Sequence, residues 1–582
     1  MSASTFRPAF GAQALGPDRV RFHLWAPAAS RVEVVFQDGR TCPLEPAGQG
    51  AFVGEASARA AAGYRYRIDG GTEVPDPAAR AQTGGPHGWS LTPGAEPYPW
   101  RHADWAGRPW EEAVVYELHP GLMGGFEGVA RELPRLADLG VTAVELMPVN
   151  QFPGARNWGY DGVLPYAPAE AYGGPDGLKA LVDRAHGLGL MVLLDVVYNH
   201  FGPDGNFLGL YAPQFFRDDL DTPWGVAIDF RRPQVRRFFT DNVLYWLSEF
   251  RLDGLRFDAV HAISEPDWLD ETAAAVRSAI SDRQVHLVLE NDANDAERLR
   301  RGYDAQWNDD FHHVMHVMLT GERGGYYGDY AEHPAERLAR ALSQGFVYQG
   351  EGSAHRGGEA RGQPSGDLAP TAFVDFLQNH DQTGNRALGE RLAVLARPQA
   401  LRAASALVLL SPSIPMIFMG EEVGSRSPFL YFTDHEPGLA EAVREGRRRE
   451  FASFPEFADP AARSRIPDPN ALKTFERSRP APGPDAAEWT AHHRDLLTLR
   501  RRAVVPRLAG AKAEGAQAVG AAAVAARWRM GDGARLTLAL NLAQTPVDLA
   551  GRPAADPLAL IGALEGGRLG GDSFVAWLEP AA

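Results

Sequence analysis

Between residues 113 and 422 the chain repeats one arrangement of apolar and polar positions: a segment with apolar residues at helical spacing, a glycine, then a short apolar run. "LPRLADLGVTAVELMPV", "LVDRAHGLGLMVLLDVVYNH" and "VLYWLSEFRLDGLRFDAV" are three copies. Apolar positions recurring every three or four residues make one face of a helix, and a glycine past the last turn accepts the left-handed backbone that ends it. An unbroken run of Val, Leu and Ile is the signature of a strand buried on both faces, the condition of a parallel sheet. Eight such runs follow in order: "AVVYELH", "AVELMPV", "MVLLDVV", "GLRFDAV", "VHLVLE", "DAQWND", "FVDFLQNHD" and "PMIFMGEE". Eight strands alternating with helices favour a closed barrel over an open doubly wound sheet. The expectation is a central (β/α)8 TIM barrel over residues 96–504, with a short loop insertion after strand three. Polar residues trail nearly every run, and barrel active sites form at the carboxyl ends of the strands.

The flanks have a different rhythm. Residues 1–95 carry short alternating runs such as "VRFHLWAP", "RVEVVF" and "YRYRIDGG" between Gly, Pro and Asp, the pattern of a small immunoglobulin-like β-sandwich. Residues 505–582, with "AVAARWRM", "ARLTLALNL" and "FVAWLEP", read as a C-terminal β-domain, so the chain as a whole is multidomain α/β. Within that domain the low-complexity stretch "AEGAQAVGAAAVAA" suggests no function. The Gly-rich polar segment 348–367 reads as a mobile surface loop, and "REGRRREF" as a solvated basic helix face.

Composition narrows the ligand rather than the fold. A formal charge of −16 disfavours nucleic acid and anionic membrane as partners, both of which need concentrated Lys and Arg, and leaves a neutral ligand as the better fit. Cys42 is the single cysteine, so neither an intrachain disulfide nor a thiolate metal cluster is expected. The first residues lack a basic segment followed by an apolar core, and no run reaches the length of a membrane span, which points to a cytoplasmic protein.

In "GLRFDAV" the pattern poses a chemical question. On a strand, Arg256 and Asp258 point to one side, and Leu255 and Phe257 to the other. A charged pair facing inward is costly unless it is hydrogen-bonded, and such pairs mark active sites. Two further acids, Glu290 and Asp381, also stand at strand ends. Cleaving a glycosidic bond needs one carboxylate against the oxocarbenium-like centre and one carboxylic acid to protonate the leaving oxygen. Arg256 would keep Asp258 ionised, while the apolar flank Leu287, Val288 and Leu289 would raise the pKa of Glu290.

Four segments, "DVVYNH" (195–200), "GLRFDAVHA" (254–262), "LVLEND" (287–292) and "FLQNHD" (376–381), resemble in order and spacing the four signature segments of the α-amylase superfamily of glycoside hydrolases. The resemblance implies that Asp258 is the nucleophile of a retaining reaction, Glu290 the general acid/base and Asp381 a stabiliser of the transition state. It implies that His200 and His380 bind the same sugar, that Arg256 orients Asp258, and that Tyr160 in "NWGYDG" stacks beneath the ring. Within the superfamily, "MPVNQFPGARNWGYDGV", "DAQWNDDFHHVMHVMLTGERGGYY" and "QNHDQTGNRALGERL" resemble the maltooligosyltrehalose trehalohydrolases. That group implies hydrolysis of the α-1,4 bond next to a terminal trehalose, with a maltooligosyltrehalose or other α-glucan as partner and no cofactor or metal. Asp309, Asp310 and His312, and less directly Glu422, are then candidates for gripping the trehalose. For "DDFHH" the alternative is a helix cap. Glycogen branching or debranching on the same scaffold, and a non-catalytic glucan-binding protein, are the other readings. Two departures from the family pattern stand out. "ELHPGLMGGFEGV" after strand one is shorter than usual and should lie on the rim of the site, and Leu289, where the family more often has Ala, should crowd Glu290 or raise its pKa further.

Overall fold

The computed structural model describes residues 6–581. Eight parallel strands close into a barrel: β1 Val115–Leu118, β2 Ala143–Leu146, β3 Met191–Val196, β4 Gly254–Phe257, β5 His286–Leu289, β6 Ala305–Trp307, β7 Phe373–Asp375 and β8 Ile414–Phe418, with β8 paired back to β1. They coincide, strand for strand, with the eight apolar runs.

Alternation along the strands divides the apolar residues between two cores. Val115, Ala143, Met191, Leu193, Val288, Ala305, Trp307, Val374 and Met416 fill the barrel interior. Their neighbours Val114, Val144, Val192, Leu194, Leu255, Leu287 and Leu289 belong to the main core shared with the surrounding helices. Leu289 therefore points away from the barrel axis, and the expected crowding of Glu290 does not occur, because successive side chains on a strand face opposite ways. By the same rule Arg256 faces inward while Leu255 and Phe257 face the helices.

Glycine sets two of the geometries this packing needs. Gly140 ends helix Gly125–Leu139 at φ 108° and turns the chain directly into β2. At the start of β4, a Cβ on Gly254 would lie 2.6 Å from the His286 carbonyl oxygen, so any larger residue would push β4 and β5 apart.

The N-terminal antiparallel sheet runs in the order 11–16, 19–25, 51–57, 41–48, 32–36, 63–68, 89–91 and 82–83. Phe22 lies edge-on to Phe36 at 5.9 Å and to Tyr64 at 5.0 Å, although their strands are far apart along that order. The sheet is thus folded over on itself as a sandwich around these rings. It docks on helix Pro233–Glu249, where Phe10 meets Phe238 and the Ala9 amide donates to Asp241 at 2.7 Å.

At the other end, strands Lys512–Gly520, Ala523–Arg529, Arg535–Asn541, Ser573–Glu579 and Ala559–Ile561 make an antiparallel sheet. The Ala/Gly-rich stretch to which the sequence assigns no function is its first hairpin, held by a ladder from Lys512–Arg529 to Gly520–Ala523. Backbone pairing, not side-chain propensity, makes it a strand. Among the described residues no helix is long and apolar enough to cross a membrane.

The loops at the carboxyl ends of the strands build the rim. After β3, residues 197–232 carry a two-stranded hairpin, Phe216–Thr222 with Gly225–Ile228. After β6 come helices Asp309–Thr320 and Pro334–Gln344 and the small ladder 351–352/360–361, and after β8 helix Pro437–Glu450. The loop after β1 takes no part: it turns through Gly124 into helix Gly125–Leu139 at once, and none of its residues line the cavity, contrary to the expected rim position.

Candidate active site

At the carboxyl ends of the strands lies a cavity of about 640 Å³. Asp258, Glu290, Asp381, Tyr160, His200, Arg256, His380 and Asp309 all line it. Asp310, His312 and Glu422 do not.

Arg256 organises the centre. Its guanidinium is 2 % exposed, stacks 4.0 Å from the Trp307 ring centre, and donates to Asp258 at 2.8 Å and Asp195 at 2.6 Å while standing 3.3 Å from Glu290. Because Phe257 pairs with Leu289 across β4 and β5, the next residues, Asp258 and Glu290, leave the barrel side by side. Asn199 donates to the second oxygen of Asp258 at 2.8 Å, so both carboxylate oxygens are held.

Ala259, immediately after Asp258, takes a left-handed conformation at φ 41°, ψ 48°. A non-glycine residue there is strained, and strain of this kind is found where the backbone must aim a group. Here the Ala259 N–H donates to Glu290 Oε2 at 2.5 Å, and Glu290 lines the cavity. Burial, opposed by Arg256 and reinforced by Asp258, pushes the Glu290 carboxyl well above the ordinary glutamate range.

The second half of the site hangs from β1, β3 and β7. His380 sits parallel to Tyr160 with ring centres 5.2 Å apart, and its Nε2 lies 2.8 Å from the Tyr160 hydroxyl. The hydroxyl donates in turn to Asp195 at 2.5 Å. Burial raises Asp195 to about 6, and the nearby arginine limits that rise. Burial likewise raises Asp381, which accepts from Asn385 at 2.5 Å, and lifts Asp309 to about 7. His200 Nε2 donates to the Tyr160 carbonyl at 3.0 Å, and the ring stacks on Trp224 at 5.6 Å. Among the described residues no group of three or more His, Cys, Asp or Glu could hold a metal ion.

The three residues outside the cavity have other partners. Asp310 is fully buried, bound by Arg361 at 2.9 Å and by the backbone amides of Val347 and Tyr348 at 2.7 and 2.9 Å. His312 stacks on Phe376 at 5.4 Å, and burial drives its ring well below the usual pKa. Glu422 accepts from the Tyr116 hydroxyl and pairs with Arg135, each at 3.0 Å, behind the barrel wall. Helical spacing explains the outcome for "NDDFHH". Asp309 and His313, four residues apart, share the face that meets the cavity, whereas Asp310 and His312 lie off it. The helix cap is Asn308, whose side chain accepts from the Phe311 amide at 3.3 Å.

Two segments dismissed on composition belong to the site. Segment 348–367 is not a free surface loop: Ser353, Arg361 and Ser365 are buried, and Arg356 and Arg361 line the cavity. Arg361 binds Asp310 and, at 3.0 Å, Asp292 two residues after Glu290. In "REGRRREF", Arg447 is 9 % exposed at its side chain, lines the cavity, and donates to the Gly384 carbonyl at 2.8 Å. Net polarity hid both, because an arginine whose partners are distant in sequence reads the same as a solvated one. Arg361→Met strands Asp310 without its cation, so it is expected to lower unfolding stability by about 3–5 kcal/mol, measured by urea titration.

A model of the alpha amylase catalytic domain matches residues 97–208, and one for a domain of unknown function (DUF3459) matches 511–576. A malto-oligosyltrehalose trehalohydrolase from Saccharolobus solfataricus is 43% identical over 75% of this chain and 79% of its own length. One from Rhizobium sp. is 40% identical over 91% of this chain and 92% of its own. Among solved structures, a Salmonella typhimurium protein assigned as an alpha amylase superposes with a TM-score of 0.93 at 42% identity, covering 99% of this chain and 100% of its own.

Proposed function

The chain belongs to the malto-oligosyltrehalose trehalohydrolases of the α-amylase family, and on that premise we infer that it hydrolyses the α-1,4-glucosidic bond adjacent to the terminal trehalose of maltooligosyltrehalose, releasing trehalose. The observation that carries the chemistry is one guanidinium, Arg256, in contact with both Asp258 and Glu290. Touching one guanidinium makes the two carboxyl groups neighbours in the cleft, and the retaining course, with a covalent intermediate, is the one the α-amylase family implies for such a pair.

In this reading Asp258, held by Arg256 and Asn199, attacks the anomeric carbon of the glucosyl unit. Glu290 gives its proton to the oxygen of departing trehalose, then takes one from the water that cleaves the covalent glucosyl-enzyme. Asp381 and His380 grip the hydroxyls of the reacting sugar, Tyr160 offers its ring face, and His200 borders the same pocket. Asp309, Arg356 and Trp224 are the best placed for the trehalose side, in the place of Asp310, His312 and Glu422. The barrel part, 96–504, carries this chemistry, with the parts 1–95 and 505–582 flanking it.

The buried carboxyl of Glu290 sets a pH expectation. The acid must be protonated, so activity is full below its pKa and lost as pH rises through it. With that pKa raised by burial, the basic limb of the kcat profile should lie well above the ordinary glutamic acid range. A limb at the solvent value would contradict the assignment.

Branching or debranching would use the same carboxylates. Incubation with maltooligosyltrehalose and, separately, with maltooligosaccharide separates the readings: free trehalose from the first is expected, whereas branched or rearranged glucan without trehalose would refute this function. A non-catalytic binder would release nothing.

A further inference from the structure

Glu117, on β1, is 1 % exposed and lies in the barrel interior layer beneath the cavity. Its two oxygens hold one residue of β7's loop twice: the backbone N–H of His380 donates to Oε2 at 3.0 Å, and Nδ1 of the same ring lies 2.5 Å from Oε1. Beyond the ring, protons can be assigned one by one. Tyr160 has a single hydroxyl proton, and the 2.5 Å contact with Asp195, which can only accept when ionised, claims it. The Tyr160 oxygen must then accept from His380 Nε2 at 2.8 Å, so Nε2 bears hydrogen. With Glu117 ionised, its Oε1 can only accept, so Nδ1 bears hydrogen as well. The ring with both nitrogens protonated is an imidazolium, and it lies between two buried carboxylates, Glu117 and Asp195.

We propose that Glu117 is a positioning residue for the reaction: by clamping the backbone and ring of His380 it keeps that ring doubly protonated, and the ring in turn holds Tyr160, Asp195 and Arg256 in the arrangement that aims Asp258. The relay is continuous, from Glu117 to His380, Tyr160, Asp195, Arg256 and Asp258. The charged and titratable groups around His380 are Glu117 from β1, His119 after it, Asp195 from β3, Arg256 from β4 and its neighbour Asp381. Burial works against a charge on this ring, but Glu117 and Asp381 together outweigh burial and Arg256, and the pKa rises. Glu145, beside Glu117 in the β1–β2 register, is pushed far up by burial and then by Glu117 and Asp195, so it adds no second anion. The inference rests on Asp258 and Glu290 being the reacting groups.

The test is a cycle of Glu117→Gln, His380→Asn and the double variant, with kcat and KM measured on maltotriosyltrehalose. Glu117→Gln keeps the shape and removes the charge. It should lower kcat by about 10- to 100-fold, the scale of a slightly misplaced reacting group, with KM changing much less. His380 without the carboxylate loses its second proton sooner, so in this variant activity should begin to fall at a lower pH than the limb that Glu290 sets in the parent. In the His380→Asn background the same change should cost little more, since the residue it acts through is gone. Glu117→Asp, which keeps the charge, should recover part of the loss. Unchanged kcat in Glu117→Gln, or losses that simply add in the double variant, would overturn the proposal. Activity surviving in Asp258→Asn would overturn the underlying assignment instead.

Discussion

Asp258→Asn is expected to lower kcat by on the order of 10⁴-fold while leaving the fold intact, because it removes one member of a set that acts as a unit. Asparagine has the same shape, and Arg256 keeps its contact with Asp195 at 2.6 Å, so the buried guanidinium is not left without a carboxylate. The amide cannot attack the anomeric carbon, and no covalent glucosyl-enzyme forms. Stopped assays on maltotriosyltrehalose give the rate, and circular dichroism with a thermal scan checks the fold. Activity within tenfold of the parent would remove Asp258 from the mechanism.

Glu290→Gln is expected to cost about 10²–10⁴-fold on the natural substrate, the range for losing a general acid. The loss should depend on the leaving group. Trehalose leaves as an alcohol and needs a proton, whereas fluoride leaves without one. An α-maltooligosyl fluoride should therefore form the covalent intermediate at near-parental rate in this variant. Its breakdown should then be slow, since water lacks a base, and added azide should accelerate it. Equal losses on both substrates would mean that Glu290 positions the substrate rather than protonating the leaving group. The geometry favours the chemical role: the Ala259 amide and Arg256 occupy Oε2, which leaves Oε1 free to carry the proton.

The barrel was legible because its strands are buried on both faces and the helices between them end in glycine, so hydropathy alone carries the count. The inward-facing acids and arginine were legible for the same reason, since a charge inside an apolar run is conspicuous. Glu117, Glu145 and Asp195 are charges of just this kind, in "VYEL", "AVEL" and "MVLLDV", and the same rule would have found them. What escaped was everything that depends on contacts across the rim. Arg361 and Arg447 sit in polar stretches, and only the folded chain brings Asp310 and the Gly384 carbonyl to them. The reverse error befell Asp310, His312 and Glu422. Proximity in sequence to the strand ends made them candidates, but on a helix only every third or fourth residue shares a face, and theirs look away from the cavity. Loop 348–367 shows the limit of composition most plainly. Glycine and polar residues permit mobility, but one buried arginine between two carboxylates fixes the segment in place.

The most direct measurement is time-resolved proton NMR of maltotriosyltrehalose during hydrolysis. The account predicts that trehalose and maltotriose appear in equal amounts and that the maltotriose is released as its α-anomer, before mutarotation, because two displacements at one carbon restore the original configuration. Release of the β-anomer, or loss of substrate without free trehalose, would contradict it.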